Sequence, residues 1–236
     1  MPETFHDTLD VPGDASASAL DTAPSGGSAG NRWSGSSQPD LDQRPAGAVR
    51  TVEIVRDMAQ LSMAMAVRSA VFMGEQDCPF DEEFDGNDLA GIHILSRVNG
   101  EPAATARMRF FADFFKLERV AVLPRFRGSS IDRDVVREAF RIACRKGYRR
   151  VFGTVRSDLV PYWRRRFGFR LLNRPPIRFS GFTFIPMGRE FDADPDAIGF
   201  ETDAEVLGRP EGEWDCPGVL EQSASRPALP MQRRSA

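Results

Sequence analysis

The chain has 236 residues and a mass of 26.2 kDa, with 28% charged residues, 41% apolar residues and a formal net charge of -3. This length is enough for one sizeable hydrophobic core, which excludes a small protein that depends on disulfides or metal ions for stability. The mean hydropathy is -0.36, and no apolar run approaches the roughly 18 to 20 residues that a helix needs to cross a bilayer. We therefore expect no membrane association and a cytoplasmic location.

The cysteines are few and far apart in the sequence. Cys78, Cys144 and Cys216 are three in number, so they cannot all pair with one another. His6 and His93 are the two histidines, and neither stands at the spacing from a cysteine that a zinc site requires. We expect reduced thiols and no bound metal.

Charge is distributed unevenly along the chain. Residues 1–44 carry a net charge of -5 and residues 192–236 a net charge of -6, which leaves +8 for the segment between them. Both ends also lack apolar periodicity, so they cannot bury enough apolar surface to offset the entropy of the chain. The composition predicts disordered acidic tails at residues 1–47 and 192–236, and one folded domain at residues 48–191.

The first half of this domain alternates between the two hydrophobic periods. Residues 51–55 predict a strand, and Asp57 is a suitable N-cap for the helical run that follows. Residues 92–98 and 103–110 predict two more strands, and the Asn-Gly pair at residues 99–100 is the strongest short signal for a hairpin turn. We therefore expect a strand and a helix followed by an antiparallel pair.

The second half continues the mixed α/β order. Residues 116–123 predict a strand, residues 131–146 an amphipathic helix, and residues 150–155 another strand. A strand, a helix and a strand of these lengths match a right-handed parallel crossover. Three further elements are predicted: a short helix at residues 160–167 and strands at residues 169–172 and 182–187.

The turn before the second helix is the segment most suggestive of chemistry. Residues 125–130 read Arg-Phe-Arg-Gly-Ser-Ser, which places two guanidinium groups and a glycine between a strand and a helix N-terminus. A phosphate there would meet unpaired main-chain amides, the positive end of the helix dipole and arginine side chains. Gly128 would let the main chain approach the phosphate closely. The same pattern also occurs in turns with a purely structural role.

Three segments carry a resemblance to a known superfamily. The strand at residues 117–124 (LERVAVLP), the turn that follows it and the next helix resemble the acyl-CoA signature of the GNAT acyltransferases. Residues 162–169 (YWRRRFGF) resemble the short helix and the Gly-Phe strand start of that superfamily. The features similar to its ElaA-type branch are residues 68–79 (RSAVFMGEQDCP), residues 85–88 (DGND), His93 and residues 181–187.

The resemblance implies an α/β fold with an open, twisted, mixed sheet, helices on both faces and two neighbouring parallel strands that splay apart. It also implies acetyl-CoA as the acyl donor, with pantetheine in the gap between those strands. Ser130 stands where the superfamily usually has glycine or alanine, and we expect serine to be small enough to keep the turn. The residues that the resemblance assigns to the acyl-CoA are Val120 and Val122, through their main chains, and Arg125, Arg127, Gly128, Ser129 and Ser130 around the pyrophosphate.

The basic character of the domain is consistent with this ligand. Residues 101–191 carry a net charge of +13, and a ligand with several phosphate charges is attracted by such a field. A solvated basic helix face and a patch for nucleic acid are alternative interpretations of the same charge. We expect a small-molecule or protein amine acceptor as the partner, with no nucleic acid.

The implied activity is transfer of an acyl group to an amine, and the amine must lose a proton before it attacks the thioester. Glu118 is the candidate base, because it lies on the predicted central strand and, by simple alternation, on the same face as Val120. The alternative is an exposed glutamate that pairs with Arg119 or Arg109.

The sequence indicates less clearly which group protonates the departing thiolate than which group acts as the base. Many superfamily members use a tyrosine at the position where this chain has Arg164. Tyr162 is the candidate acid here, although it lies about 200° around the helix from Arg164, so its ring is expected to face another way. His93 is either a proton relay or a buried core residue.

Residues 75–88 include seven acids and no base. In the superfamily this connection borders the acceptor site, so its charge favours a cationic acceptor such as a polyamine, an amino sugar or a protein amine. The alternative is a solvated loop whose charge limits aggregation.

Two other classes of function compete with an acetyltransferase. One is an enzyme similar to the acyl-homoserine-lactone synthases, which use S-adenosylmethionine, although the tryptophan expected after their first motif is absent. The other is a non-catalytic module that binds CoA or a partner, favoured by Arg164 in place of tyrosine. The residues that suggest the synthases are Arg68, Val71, Phe72, Glu83, Phe84, Asp85 and Arg119.

Overall fold

The structure is a computed structural model that describes residues 48–227. Its helices are α1 (Met58–Arg68), α2 (Phe80–Glu83), α3 (Ile131–Arg145), α4 (Val160–Phe167), α5 (Ala204–Leu207) and α6 (Val219–Ala224). Its strands are β1 (Arg50–Ile54), β2 (Ile92–Val98), β3 (Glu101–Phe110), β4 (Phe115–Val122), β5 (Arg150–Arg156), β6 (Arg170–Leu171), β7 (Ile177–Phe179) and β8 (Phe182–Glu190). The predicted tail at residues 1–47 lies outside the described residues, and so do residues 228–236 of the tail predicted at residues 192–236.

The described strands form one sheet in the order β1-β2-β3-β4-β5-β8-β6, with β7 paired to β8. β4 and β5 are parallel, whereas the pairs on either side of them are antiparallel. The larger core lies under α3, and a smaller one lies on the opposite face, where Val67 and Val71 pack with Ala121. The predicted α/β fold, an open mixed sheet with helices on both faces, is confirmed.

β4 and β5 separate soon after they begin. Their pairing is confined to Phe115 opposite Val151 and Lys116 opposite Phe152, although both strands continue well beyond these residues. β3 pairs with the other edge of β4, and β8 pairs with the other edge of β5. The splayed parallel pair that the resemblance implied is therefore present, and a gap opens between the two strands.

A bulge in β4 reverses the side-chain alternation that the sequence suggests. Glu118 and Ala121 lie opposite β3 residues that are two apart, so β4 has one extra residue between them. Arg119 takes a φ of 53° within this bulge. Glu118 therefore shares the α1 face with Ala121, whereas Val120 packs with the core under α3. The expectation that Glu118 and Val120 lie on one face is wrong, because simple alternation does not anticipate a bulge.

Two tight turns fix the hairpins of the sheet. Asn99 and Gly100 have φ of 51° and 82°, which is the turn that the Asn-Gly pair predicts. Ser180 and Gly181, with φ of 48° and 75°, form a second such turn between β7 and β8. The sequence does not signal β7, because a strand of three residues after two prolines is too short to show a period.

Residues 192–227 differ from the disordered tail that their composition favours. Trp214 is 5% exposed and belongs to the core under α3. Lys146 Nζ lies 2.6 Å from Glu211, and Arg141 donates to the main-chain oxygen of Gly212 at 2.8 Å. One tryptophan and the attraction between an acidic segment and a basic helix thus dock a sequence that has little apolar periodicity of its own.

Gly212 shows how closely this segment approaches the sheet. Its φ is 81°, and a Cβ added there would lie 2.2 Å from Cδ1 of Ile54 in β1. Both the left-handed conformation and the close contact require glycine.

Substitution of Trp214 tests this docking. We expect Trp214→Ala to lower the free energy of unfolding by about 3 to 5 kcal/mol, because the indole fills space in the main core. Phe200→Ala removes an aromatic ring from the same segment that is 98% exposed, so it should change stability by less than about 0.5 kcal/mol. Urea denaturation of the full chain measures both. Equal effects of the two substitutions would contradict the docking.

Candidate active site

The gap between β4 and β5 opens into a cavity of about 510 Å³, a volume typical of small-molecule sites. Residues 116–120 of β4 line one side of it and residues 152–156 of β5 line another. The remaining walls come from the segment between residues 72 and 85, from α4 and from the β7–β8 hairpin. The cavity thus lies where the two parallel strands have parted.

The edge of β4 presents main-chain groups to this gap. Leu123 donates its amide to the carbonyl of Ala103 in β3. Because main-chain groups alternate in direction along a strand, those of Val120 and Val122 point the other way, toward β5. The carbonyl of Val122 accepts a hydrogen bond from Nε of Arg127 at 3.1 Å. Two of the residues predicted to bind the acyl-CoA therefore border the gap.

The predicted phosphate turn, residues 125–130, connects β4 to the N-terminus of α3. Gly128 and Ser130 have φ of 77° and 69°, so Ser130 keeps the turn at a cost of about 1 to 2 kcal/mol for a residue with a side chain. Within residues 48–227, the amides of Gly128, Ser130 and Ile131 donate to no protein acceptor. Free amides at a helix N-terminus form the kind of site that binds phosphate.

The two arginines of this turn have acidic partners at the surface. Arg127 Nη2 donates to both carboxylate oxygens of Glu75, at 3.0 and 2.8 Å. Arg125 pairs with Glu101. Exposed ion pairs of this kind contribute only about 0 to 1 kcal/mol, so a phosphate can replace the carboxylates at little cost. The hydroxyl of Ser129 is less free, since it donates to the carbonyl of Phe126 at 2.5 Å.

Two buried arginines organise the α1 side of the site. The side chains of Arg68 and Arg107 have no exposed surface. Arg68 donates to a carboxylate oxygen of Glu83 at 2.5 Å and to the Glu83 carbonyl at 2.9 Å. Arg107 donates to both oxygens of Asp85, at 2.8 and 2.6 Å, and to Asp88 at 2.7 Å. Together these bonds hold the loop before β2 against the sheet.

Arg119 joins this group from the bulge in β4, where its Nε lies 3.0 Å from a carboxylate oxygen of Glu83. Burial raises the pKa of Glu83, and the arginines oppose this only in part. Burial acts in the same sense on Asp85, but hydrogen bonds from Arg107 and Asn87 outweigh it and hold the pKa of Asp85 well below its usual range. We call the set of Arg68, Arg107, Arg119, Glu83, Asp85, Asp88 and Glu118 the arginine cluster.

Glu118 is the member of this cluster that sequence reasoning identified as the candidate base. It lines the cavity and is 8% exposed. Arg107 Nε donates to one of its oxygens at 2.9 Å, and Lys116 Nζ lies 2.5 Å from the other. The alternative of an exposed glutamate is therefore not what the structure shows: the carboxylate is buried at the cavity wall, and cations balance its charge.

The acidic loop at residues 75–88 is largely neutralised. Four of its seven carboxylates pair with arginine, three of them in the arginine cluster and one, Glu75, with Arg127. The loop as a whole therefore attracts cations less than its composition suggests. The carboxylates of this loop that have no ion pair within residues 48–227 are Asp77, Asp81 and Glu82.

The structure does not bring Tyr162 into the cavity. Its hydroxyl donates to Asp132 in the first turn of α3. Burial, together with this hydrogen bond, raises the pKa of Tyr162 to about 12. Arg164 is exposed, and Trp163 is the α4 residue between them that lines the cavity. The geometry thus gives no support to an acid role for Tyr162.

His93 is a buried residue of β2, 3% exposed, and it does not line the cavity. Its Nε2 lies 3.0 Å from the main-chain oxygen of Asp88, and because a carbonyl only accepts, this nitrogen carries the proton. Nδ1 is buried without a partner in the described chain. Of the two interpretations left open by the sequence, the structure favours a core histidine.

The sequence does not single out several of the cavity residues. Glu82 is one of seven acids in the loop at residues 75–88 and belongs to α2, which has only four residues, and Ser180 lies in the β7–β8 turn. Trp163 stands one position before the residue that the family pattern marks. The Ser-Gly pair at residues 180–181 between apolar runs is the one local signal that could have located the second hairpin.

Residues 48–227 contain no group of three or more His, Cys, Asp or Glu side chains arranged to hold a metal ion. In the same residues, no helix combines the length and apolar character needed to cross a membrane. The three cysteines are free thiols.

The parted strands and the glycine turn at a helix N-terminus match the fold that the resemblance to the GNAT acyltransferases implied. The model of the acetyltransferase (GNAT) family matches residues 58–172. An acetyltransferase of Bacillus subtilis is 35% identical to the chain over 99 residues, which are 41% of this chain and 67% of that relative. The chain belongs to the GNAT family of acetyltransferases.

Two further relatives agree with this assignment. The N-acetyltransferase YjcF of Bacillus subtilis is 26% identical over 137 residues, which are 58% of this chain and 97% of YjcF. ElaA of Escherichia coli is 34% identical over 84 residues, which are 34% of this chain and 54% of ElaA. The crystal structure of Escherichia coli ElaA matches with a TM-score of 0.54 and 24% identity, over 60% of this chain and all of that one. The predicted similarity to the ElaA branch is confirmed.

The pH dependence of stability tests the burial of His93. Burial lowers the pKa of His93, and the hydrogen bond to Asp88 offsets this only in part. As pH falls below about 6.5, the unfolded histidine takes up a proton before the folded one does. The free energy of unfolding should therefore fall with pH, by at most about 1.4 kcal/mol per pH unit, until the folded pKa is reached.

His93→Gln should flatten this part of the profile, since glutamine does not titrate. Chemical denaturation of both proteins between pH 5 and 8 measures the effect. Parallel profiles for the wild type and the variant would show that His93 has the same pKa in both states.

Proposed function

We propose that this protein transfers an acetyl group from acetyl-CoA to a primary amine by direct attack in a ternary complex. The observation that carries the proposal is the separation of β4 from β5, which leaves the main-chain groups of Val120 and Val122 facing the gap and opens a cavity that Val120 lines. Membership of the GNAT family supports the same reaction class.

The residues around the gap fit an acyl-CoA. Main-chain groups on a free strand edge can pair with the amide groups of pantetheine in the same way as a neighbouring strand would. The amides of Gly128, Ser130 and Ile131 offer donors for the pyrophosphate, and Arg125 and Arg127 add charge. When bound, acetyl-CoA supplies the thioester whose carbonyl carbon receives the amine.

Glu118 is the residue that we propose to receive the amine proton, either directly or through a water molecule. A carboxylate has about four lone-pair positions, and the contacts from Arg107 and Lys116 leave part of this capacity for the acceptor. The ammonium gives up two protons in all: Glu118 receives one before the attack and passes it to solvent, and the sulfur takes up the other as the new C–N bond replaces the C–S bond. The proton can pass to the sulfur through water, so the mechanism needs no acid role for Tyr162.

No cysteine is required as a nucleophile. Burial raises the pKa of the Cys144 thiol, and Cys144 does not line the cavity. Cys78 does line it, but its hydrogen-bond partners are the Pro79 carbonyl and the Ser180 hydroxyl, which are neutral. A thiolate nucleophile is normally activated by a base or a nearby cation. We therefore favour transfer without an acyl-enzyme.

The similarity to acyl-homoserine-lactone synthases has a structural explanation. Arg68, Glu83, Asp85 and Arg119 bind one another within the arginine cluster, so the pattern does not by itself require S-adenosylmethionine.

Release of free thiol from acetyl-CoA in the presence of amines is the direct test of an acetyltransferase. Methylthioadenosine formed from S-adenosylmethionine would support a synthase instead, and acetyl-CoA binding without thiol release would support a binding module. An acetylated enzyme seen by intact mass would contradict direct transfer.

Gly128 allows a test of the phosphate turn with a matched control. Gly128 and Gly100 both have positive φ, 77° and 82°, with nothing within 4 Å of an added Cβ. Each glycine-to-alanine change should therefore cost about 1 kcal/mol of stability. We expect Gly128→Ala alone to weaken acetyl-CoA binding, by about tenfold or more, because strain shifts the amides that face the pyrophosphate. Calorimetric titration measures this, and equal affinities for the two variants would place the pyrophosphate elsewhere.

Glu118→Gln tests the proposed base. Glutamine keeps the shape of the side chain but cannot accept the amine proton, so kcat should fall by about 10² to 10⁴. The KM for acetyl-CoA should change little, since Glu118 forms no hydrogen bond or ion pair with the turn within residues 48–227. Steady-state kinetics and the pH dependence of kcat measure both quantities. An unchanged kcat would show that another group receives the proton.

A further inference from the structure

One part of the cavity is formed by the segment that follows α1 and by the β7–β8 hairpin. Its lining is mainly aromatic and aliphatic. Phe179 and Phe184 pack with ring centroids 6.0 Å apart, and Phe182 lies under the guanidinium of Arg156 at 5.0 Å. Phe72 and Ile177 extend the same surface. A wall of this kind favours a molecule with an apolar or aromatic body.

The charged groups that line the cavity are nearly all paired with one another. Lys116 lies 2.5 Å from Glu118, and Arg119 lies 3.0 Å from Glu83. Arg156 Nε lies 2.6 Å from Asp158. The lining carboxylates with no cation within 4.0 Å in residues 48–227 are Asp81, which is exposed, and Glu82, which is half-buried.

Glu82 is held in place from both sides. Its Oε2 accepts a hydrogen bond from the hydroxyl of Ser180 at 2.5 Å. Its main-chain oxygen accepts one from Arg119 Nη2 at 2.7 Å. The carboxylate is therefore fixed at the meeting point of α2 and the β7–β8 turn, and no cation of residues 48–227 forms an ion pair with it. A fixed, unpaired carboxylate beside aromatic rings is suited to a single ammonium group.

We infer that the acceptor is a primary monoamine with an aromatic or similarly apolar body, and that Glu82 binds its ammonium group. This inference rests on the proposed acetyl transfer and names the substrate class of that site. Glu82 contacts the ammonium when the acceptor binds, whereas Glu118 receives a proton from the nitrogen before the C–N bond forms. A polyamine or an amino sugar fits less well, because its additional polar groups would lie against the apolar wall without partners.

The test compares amines that differ in the body attached to the nitrogen. Thiol release from acetyl-CoA by the full chain is measured with 2-phenylethylamine, putrescine, glucosamine and a peptide with a free N-terminus. We expect kcat/KM for 2-phenylethylamine to exceed the other values by at least tenfold. A higher kcat/KM for any of the other three acceptors overturns the inference.

The matched variants are Glu82→Gln and Asp77→Asn. Each replaces one unpaired carboxylate of the same acidic loop by its amide, but Asp77 is exposed and does not line the cavity. Glu82→Gln should raise the KM for 2-phenylethylamine at least tenfold and leave the KM for acetyl-CoA unchanged. Asp77→Asn should change neither. Equal KM values for the amine in the two variants would show that Glu82 does not bind the ammonium.

Ser180→Ala supplies a second test in case Glu82→Gln fails to fold, which thermal unfolding will reveal. Loss of the hydroxyl frees the carboxylate to rotate, so the KM for 2-phenylethylamine should rise while acetyl-CoA binding persists. Failure of the proposed function has a separate signature, namely absence of acetyl-CoA binding by calorimetry. If acetyl-CoA binds and 2-phenylethylamine is not acetylated, the inference about the acceptor is overturned.

Discussion

Burial of the Arg107 guanidinium is the constraint on which the α1 side of the cavity depends. A guanidinium has five donors and cannot lose its charge, so a fully buried arginine requires carboxylates around it. The loop before β2 supplies Asp85 and Asp88, and β4 supplies Glu118. Removal of one partner from a buried pair costs about 3 to 5 kcal/mol. The loop is consequently fixed to the sheet, although little of it is regular structure.

The bulge in β4 connects this charged cluster to the gap between β4 and β5. Without the extra residue at Arg119, Glu118 would share a face with Val120 and would point into the apolar core under α3. With it, Glu118 reaches Arg107 on one face, while Val120 and Val122 keep their side chains in the core and their main-chain groups toward β5. One strand thus presents a carboxylate on one face and free main-chain groups at its edge, because a single extra residue changes its alternation.

The sequence predicts the regular elements well and the irregular ones poorly. Residues 92–98 and 160–167 have the predicted boundaries, and the turn at residues 125–130 lies where the strand-helix-strand pattern places it. These features depend on local periodicity and turn chemistry, which a sequence shows directly. The bulge at Arg119 depends instead on how β3 and β4 pair, so no local pattern signals it.

Docking of residues 192–227 has a similar origin. A segment with this composition cannot bury enough apolar surface to fold by itself. Trp214 nevertheless packs into a core that the rest of the domain forms. Basic residues at the end of α3 also pair with acids that lie close to Trp214 in the sequence. The opposite charges of the two regions are visible in the sequence, but their attraction becomes apparent only when the partner helix is known.

For a related reason, the number of acids in the loop does not predict the charge at the cavity. The field that a substrate meets comes from the charges left unpaired after folding, whereas a sequence shows only their sum. Seven acids in one loop suggest a site for a polycation, yet four of them neutralise arginines. What remains at the cavity is a single half-buried carboxylate, an exposed one beside it and a surface of aromatic rings. The charge at this side of β4 therefore comes from a few unpaired groups, and pairing rather than composition determines which groups these are.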